Sequence, residues 1–236
     1  MQWHEVVIGG KPALCAEPSF FSASPAILFL HDARATPPDA ISGWTEMLAR
    51  RRWRCLAPAS GCSWWLQHPI PLFDPTISPE EHLLNTVLPW MQERWQVTPQ
   101  RLAVVGFGMG GQGAIRLALR HPAVFPVAAS IDGAMDLQDA WGWGTPLDDI
   151  YPSREAARRD SALMHLKSTA WPEFLFLACS PDSYWHRGND RLQEKLLAHG
   201  VPHQALLDQQ RSPESFLPDL FAFLDRAFAQ LSRRLI

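Results

Sequence analysis

From about residue 25 onward, short apolar runs alternate with stretches whose apolar residues recur every three or four positions, the pattern of βαβ units around a parallel sheet. The runs at 26–30, 54–57, 101–106, 124–131, 173–179 and 203–207 predict strands. Between and after them, 41–52, 78–95, 109–120, 153–166, 189–199 and 213–233 predict helices. Residues 3–16, rich in Val and Ile around Gly9 and Gly10, fit an antiparallel hairpin on the sheet edge. The Pro-rich piece at 69–79 and the Trp/Gly stretch at 141–146 read as loops, so the expectation is one α/β domain over residues 1–236. In such a mostly parallel sheet with helices on both faces, chemistry belongs beyond the carboxyl ends of the strands.

Composition narrows the function classes. Apolar residues make up 47% of the 236 and charged ones 19%, which supplies one sizeable core and excludes disorder as the main state. Lys+Arg number 21 against 24 Asp+Glu, so no basic face for nucleic acid is expected. No run approaches the roughly 18 apolar residues of a membrane span, and Met1-Gln-Trp-His lacks a cationic leader start. A cytoplasmic, soluble protein is the expectation, with Cys15, Cys55, Cys62 and Cys179 reduced and without metal spacing. The 11 Trp and 21 Pro point instead to elaborate loops.

The most informative segment runs from Leu102 to Ala114. An apolar strand ends in Gly106-Phe107-Gly108-Met109-Gly110, and a helix begins at once. This has the form of a nucleophile elbow, Gly-x-Ser-x-Gly, in which small flanking residues let helix and strand approach around a strained central residue. Both flanking glycines are present, and the nucleophile position, residue 108, is glycine. With its neighbours the segment resembles the α/β-hydrolase superfamily, in particular the esterase group that includes S-formylglutathione hydrolases and feruloyl or acetyl-xylan esterases. Leu28-Phe-Leu-His-Asp32 resembles that group's oxyanion strand and loop, Ser63-Trp64-Trp65 its Ser-Trp-Tyr segment, and His121-Pro122-Ala-Val-Phe125 its His-Pro-Asp-x-Phe run. The order of elements matches from about residue 25 to 228.

The resemblance implies a Ser-His-acid site, and this chain departs from it. Asp182, in Ser180-Pro181-Asp182 after a strand, stands at the family's acid position. The loop that should carry the histidine reads Asp208-Gln209-Gln210-Arg211-Ser212-Pro213-Glu214, and the last histidine of the chain, His203, precedes it inside a strand. Backbone N–H groups of Met109 and Ala33 would form the oxyanion hole, but Asp32 replaces the glycine that the family places after His31, and a carboxylate there repels an oxyanion. His31 itself reads as a structural loop residue.

Trp64, Trp65, Trp141, Trp143 and Trp185 all follow strand ends, where flat rings suit stacking on sugars or aromatic ligands; packing beneath the loops is the competing role for Trp64 and Trp65. Asp132, Asp148, Asp149, Tyr151 and His186 are candidate polar contacts, each taken alone more simply a loop or cap residue. Gly106, Gly108 and Gly111 also contain a dinucleotide-type spacing, but the order of elements follows the hydrolase pattern, so neither cofactor nor metal is expected. Three readings follow. The first is a catalytically degenerate esterase homologue binding a small molecule or partner in the old cleft. The second is a hydrolase of altered mechanism using Ser63, Cys62, or a water held by Asp182 or Asp132. The third is an interaction protein with a filled cleft.

Overall fold

The five side chains of β3 (Ala26–Leu30) are all buried, as a strand covered on both faces requires. Ala26, Leu28 and Leu30 enter one core with Leu56, Val104 and Leu177. Ile27 and Phe29, pointing the other way, enter a second with Trp44, Val105, Phe176 and Phe221. The computed structural model describes residues 1–18 and 24–233. Besides β3, its sheet contains β1 (Gln2–Ile8), β2 (Lys11–Glu17), β4 (Arg54–Pro58), β5 (Leu102–Phe107), β6 (Val127–Ile131), β7 (Phe174–Ala178) and β8 (Gln204–Leu206). The spatial order is β1-β2-β4-β3-β5-β6-β7-β8. β1, β2 and β4 pair antiparallel in turn, and the remaining pairings are parallel.

Helices α1 (Trp44–Arg51) and α8 (Leu217–Arg233) send Trp44, Leu48, Leu220 and Leu224 into the second core. On the opposite face, α3 (Leu88–Trp95), α4 (Met109–Arg120) and α7 (His186–Ala198) bring Met91, Leu117 and Leu192 to the first. The stretch read as one helix over 78–95 starts with α2 (Pro79–His82), capped by a reciprocal Ser78–Glu81 pair, and passes through a π-turn (Leu83–Val87) before α3. Pro89 cannot donate to the carbonyl four residues back, and the wider turn, with Leu88 N–H on Leu83 O, precedes that break. Short helices α5 (Pro146–Ile150) and α6 (Arg154–Arg159) lie in the long connection from β6 to β7.

Several boundaries shift from the pattern, α1 beginning at Trp44 and not 41, α7 at His186 and not 189, and α8 at Leu217 and not 213, and two of the differences have a visible cause. The helix expected over 153–166 is broken after α6 at Asp160, whose carboxylate takes hydrogen bonds from Arg116, Tyr151 and His165. β6 begins at Val127 and not at residue 124, because Val124 and Phe125 donate to His121 O in a turn and Pro126 has no N–H to give. α4 is tied to α2 by a buried cluster: Glu80, 1% exposed, accepts from Arg116 at 2.5 Å, Arg120 at 2.9 Å and His121 at 3.0 Å. This cluster fixes the helix that follows the elbow. No described helix is long and apolar enough to cross a membrane.

Candidate functional site

The turn from β5 into α4 is possible only with glycine on either side of it. A Cβ on Gly106 would lie 2.1 Å from Gly110 O, and one on Gly110 would lie 1.9 Å from Leu30 O. Between them Gly108 adopts φ +52° and ψ −116°, a region that side-chain-bearing residues enter only under strain. The turn is held by Gly108 N–H on Ile131 O at 3.1 Å, and by Gln112 and Ala134 N–H groups on Gly108 O. The strained elbow geometry thus persists with a residue that feels none of its strain. Space for a side chain remains, since a Cβ at 108 would meet only Asp32 Cβ, at 3.5 Å. Gly108→Ser is therefore expected to lower unfolding free energy by about 1–3 kcal/mol through backbone strain alone, checked by chemical denaturation; stability equal to or above the parent contradicts it.

Strand register sets what flanks this position. Leu30 pairs with Gly106 and Phe107 with Ile131. Carried past the strand ends, the same register lines up Asp32, Gly108 and Asp132 on three neighbouring strands. Asp32 Oδ1 accepts the N–H groups of Arg34 at 3.2 Å and Thr36 at 2.9 Å, folding the loop after β3. Asp132 sits at φ +53° with its N–H on Ala178 O. Its Oδ1 faces the Cys179 thiol at 3.3 Å, and burial together with this carboxylate's charge pushes that thiol up to about 12. These residues line a hollow of about 650 Å³ that also includes Ala33, Arg34, Trp64, Met109, Trp143, Trp185 and Glu214. Met109, as the first residue of α4, has an N–H without an intrahelical acceptor. A second hollow of about 570 Å³, holding Asp182 and Gln210, adjoins it through Asp132, Trp185 and Pro213.

Asp182 does have a partner across the cleft, and it is an amide. Gln210 Nε2 donates to Asp182 Oδ2, from the loop in which the resemblance places a histidine. The signal for Gln210 was legible in that loop, but its contact with a residue 28 positions earlier appears only in three dimensions. His203 lies before β8 and not within it, in a recess with Glu173 and Phe174 at the other end of the sheet. His31 is buried, and both ring nitrogens are engaged: Nε2 accepts Ser60 N–H at 3.0 Å, so Nδ1 carries the proton toward Asp32 O at 2.8 Å. Burial lowers its pKa, keeping it a neutral brace between two loops.

The other candidates separate by burial. Ser63 is fully buried, donates to Ser60 Oγ at 2.8 Å and accepts Trp65 N–H, which removes it as a nucleophile. Burial raises the Cys62 thiol, disfavouring its reactive form. Trp65, 1% exposed, packs over Gly113 and donates to His31 O, so the ligand-contact expectation is corrected for this residue. Trp141 is likewise turned inward, its Nε1 on Tyr151 O at 3.0 Å. Trp64 is buried but forms part of the hollow's wall, while Trp143 and Trp185 stand at the mouth with ring centroids 5.5 Å apart. Tyr184, not singled out from the sequence, joins them at 5.1 and 4.9 Å. Asp148 braces this wall by accepting Gly142 and Gly144 N–H groups at 2.6 and 2.7 Å. Asp149 is exposed on α5, His186 bonds Leu207 O, and Tyr151 is buried on Asp160, so these three do not line either hollow.

A family model described as Putative esterase matches residues 77–234, the part that runs from α2 through the elbow to the last helix. The chain belongs to the Putative esterase family. Among curated relatives of this esterase-family chain, the diacylglycerol acyltransferase/mycolyltransferase Ag85C of Mycobacterium avium is 41% identical over 66 residues, 28% of this chain and 18% of that protein. The Ag85C of Mycobacterium leprae is 30% identical over 114 residues, 48% of this chain. The match spans 30% of that relative's length. Solved structures extend the likeness to the whole fold. A ferulic acid esterase superposes with TM-score 0.72 at 17% identity, covering 96% of this chain and 97% of its own. Mycobacterium tuberculosis MPT51 (FbpC1) gives 0.72 at 17% identity, covering 97% and 98%. The S-formylglutathione hydrolase FrmB of Staphylococcus aureus gives 0.72 at 13%, covering 98% and 99%. The eight-stranded sheet and its helices are thus the α/β-hydrolase fold, with this esterase-family member's elbow where that fold places its nucleophile.

Proposed function

We propose that this esterase-family chain does not hydrolyse esters and instead binds a small molecule in the cleft its relatives' fold provides. The observation that carries the reading is Gly108 at the apex of an intact elbow: the backbone geometry is kept, the hydroxyl is not. Gln210 on Asp182 supports it, because an amide can neither take a proton from a nucleophile nor return one to a leaving group. With nucleophile and base both lacking, triad chemistry loses nearly all of its rate, since the members act as a unit. What remains is suited to binding: two adjoining hollows and a braced aromatic wall at their mouth. The four free cysteines, three of them buried, fit a reducing cytoplasm.

Covalent labelling tests the first half. The purified protein incubated with an alkyl fluorophosphonate, which phosphonylates activated serine, is expected to show no mass increase by intact-protein mass spectrometry, and Gly108→Ser is expected to behave the same. A stoichiometric adduct on the parent protein would overturn the reading and identify the nucleophile that replaces residue 108.

A further inference from the structure

We propose that the ligand is an organic cation, its ammonium group seated over Gly108 between Asp32 and Asp132 and its apolar part against the rings of Trp143 and Trp185. This rests on the ligand-binding reading above and specifies its chemistry. In register, the two carboxylate-bearing residues stand on either side of glycine, so their Cα atoms are separated by two strand spacings, about 10 Å. The missing side chain at 108 leaves the gap between them open: a Cβ there would touch nothing but Asp32. Each acid uses Oδ1 within the fold, Asp32 for two backbone N–H groups and Asp132 for the Cys179 thiol. Among the described residues, no hydrogen bond or ion pair reaches Oδ2 of either. These are partly buried carboxylates lining a cavity, each with one oxygen that no cation of the fold pairs, an arrangement that a bound ammonium completes.

The rest of the lining has the same preference. Asp32, Asp132 and Glu214 carry negative charge into this hollow against the single guanidinium of Arg34. In the adjoining hollow, Arg211 is already paired with Asp219 at 2.6 Å, and Asp182 adds a further carboxylate. An esterase cleft that stabilises an oxyanion needs the opposite sign. The aromatic wall is an independent observation. Trp143 and Tyr184 are 53% and 61% exposed at the mouth, apolar surface that a fold ordinarily covers. They are held still by Tyr184 Oη on Asp139 O at 3.0 Å and by the Asp148 brace. In this arrangement the rings take the carbon skeleton of the ligand while the carboxylates take its charge.

Isothermal titration calorimetry with 2-phenylethylamine, 2-phenylethanol and phenylacetate tests this, since the three share a ring and differ in the charge of the head group. The amine is expected to bind, the neutral alcohol about tenfold more weakly, and the acid more weakly still. Asp132→Asn and Asp32→Asn are each expected to weaken the amine about tenfold and to flatten its dependence on salt. Asparagine keeps Oδ1 for the loop hydrogen bonds and tolerates the positive φ of Asp132, so both variants are expected to melt close to the parent. Should Asp32→Asn nonetheless unfold, Asp132→Asn decides alone. Equal or tighter binding of the alcohol or acid, an unchanged amine affinity in Asp132→Asn, or no heat from the amine up to about 10 mM would overturn the proposal. Phenylacetate binding without amine binding would overturn the charge assignment and leave the ligand-binding reading standing; phosphonate labelling would overturn that reading whatever the amine does.

Discussion

Gly110→Ala is expected to destabilise the protein by about 3 kcal/mol or more, enough to remove most soluble folded material, because overpacking against backbone has nowhere to relax. Its Cβ would stand 1.9 Å from Leu30 O and 2.6 Å from His31 O, both main-chain atoms of the central strand β3 and its exit. Relief would require α4 to move off the sheet. Yet α4 is anchored at its far end by Arg116 and Arg120 on Glu80, and along its length by Ile115, Leu117 and Leu119 in the core. Gly108→Ala, two residues away, meets only Asp32 Cβ at an ordinary contact distance of 3.5 Å and incurs only strain, so a wide gap between the two variants in urea denaturation is the expected result. Similar midpoints for the two would show that helix and strand are not in the close contact described.

Glu80→Gln is the second large effect, expected at about 3–5 kcal/mol, as for other buried ion pairs broken from one side. Glu80 is 1% exposed and Arg116 2%, so removing the carboxylate charge leaves a buried guanidinium with Asp160 alone. The cluster also sets an acid limit. Burial by itself would raise the Glu80 carboxyl, but the His121 hydrogen bond and the charges of Arg116 and Arg120 outweigh it and hold the group at about 2. Asp160 is lowered in the same sense by His165, Arg116 and Tyr151 against its burial. A carboxylate with a depressed folded pKa stabilises the fold above its ordinary unfolded value, and that contribution disappears as pH falls toward the folded one. Melting temperature of the parent is therefore expected to fall steeply between about pH 5 and 2, and less steeply in Glu80→Gln. Parallel pH profiles for the two proteins would remove Glu80 from this role.

Most of the architecture was legible in the order of apolar runs. α4 occupies the very span, Met109–Arg120, that the glycine turn and apolar spacing predict, because the turn admits a single geometry and the helix face is broad. Elements without such constraints shifted. The stretch from 153 to 166 has helix-forming composition, but Asp160 is drawn into a tertiary ion cluster and the helix ends there. Gly108, and the amide-bearing loop around Gln210, could be named from sequence position. The contents of the cleft could not. Trp64 and Trp65 follow a strand end as Trp143 and Trp185 do, but their positive φ values, 55° and 53°, accompany rings folded beneath the loop. The alignment of Asp32 with Asp132 across Gly108 depends on the registers of two parallel pairings, set by packing of whole strands and invisible in any local pattern.

The proposed loss of ester turnover has a direct test. The most direct measurement is p-nitrophenyl acetate hydrolysis by the purified protein, beside Asp182→Ala and Gly108→Ser, against the buffer rate. All three at background is the expected result. Turnover well above background in the parent protein, falling in Asp182→Ala, would contradict it and show a site rebuilt around the retained acid.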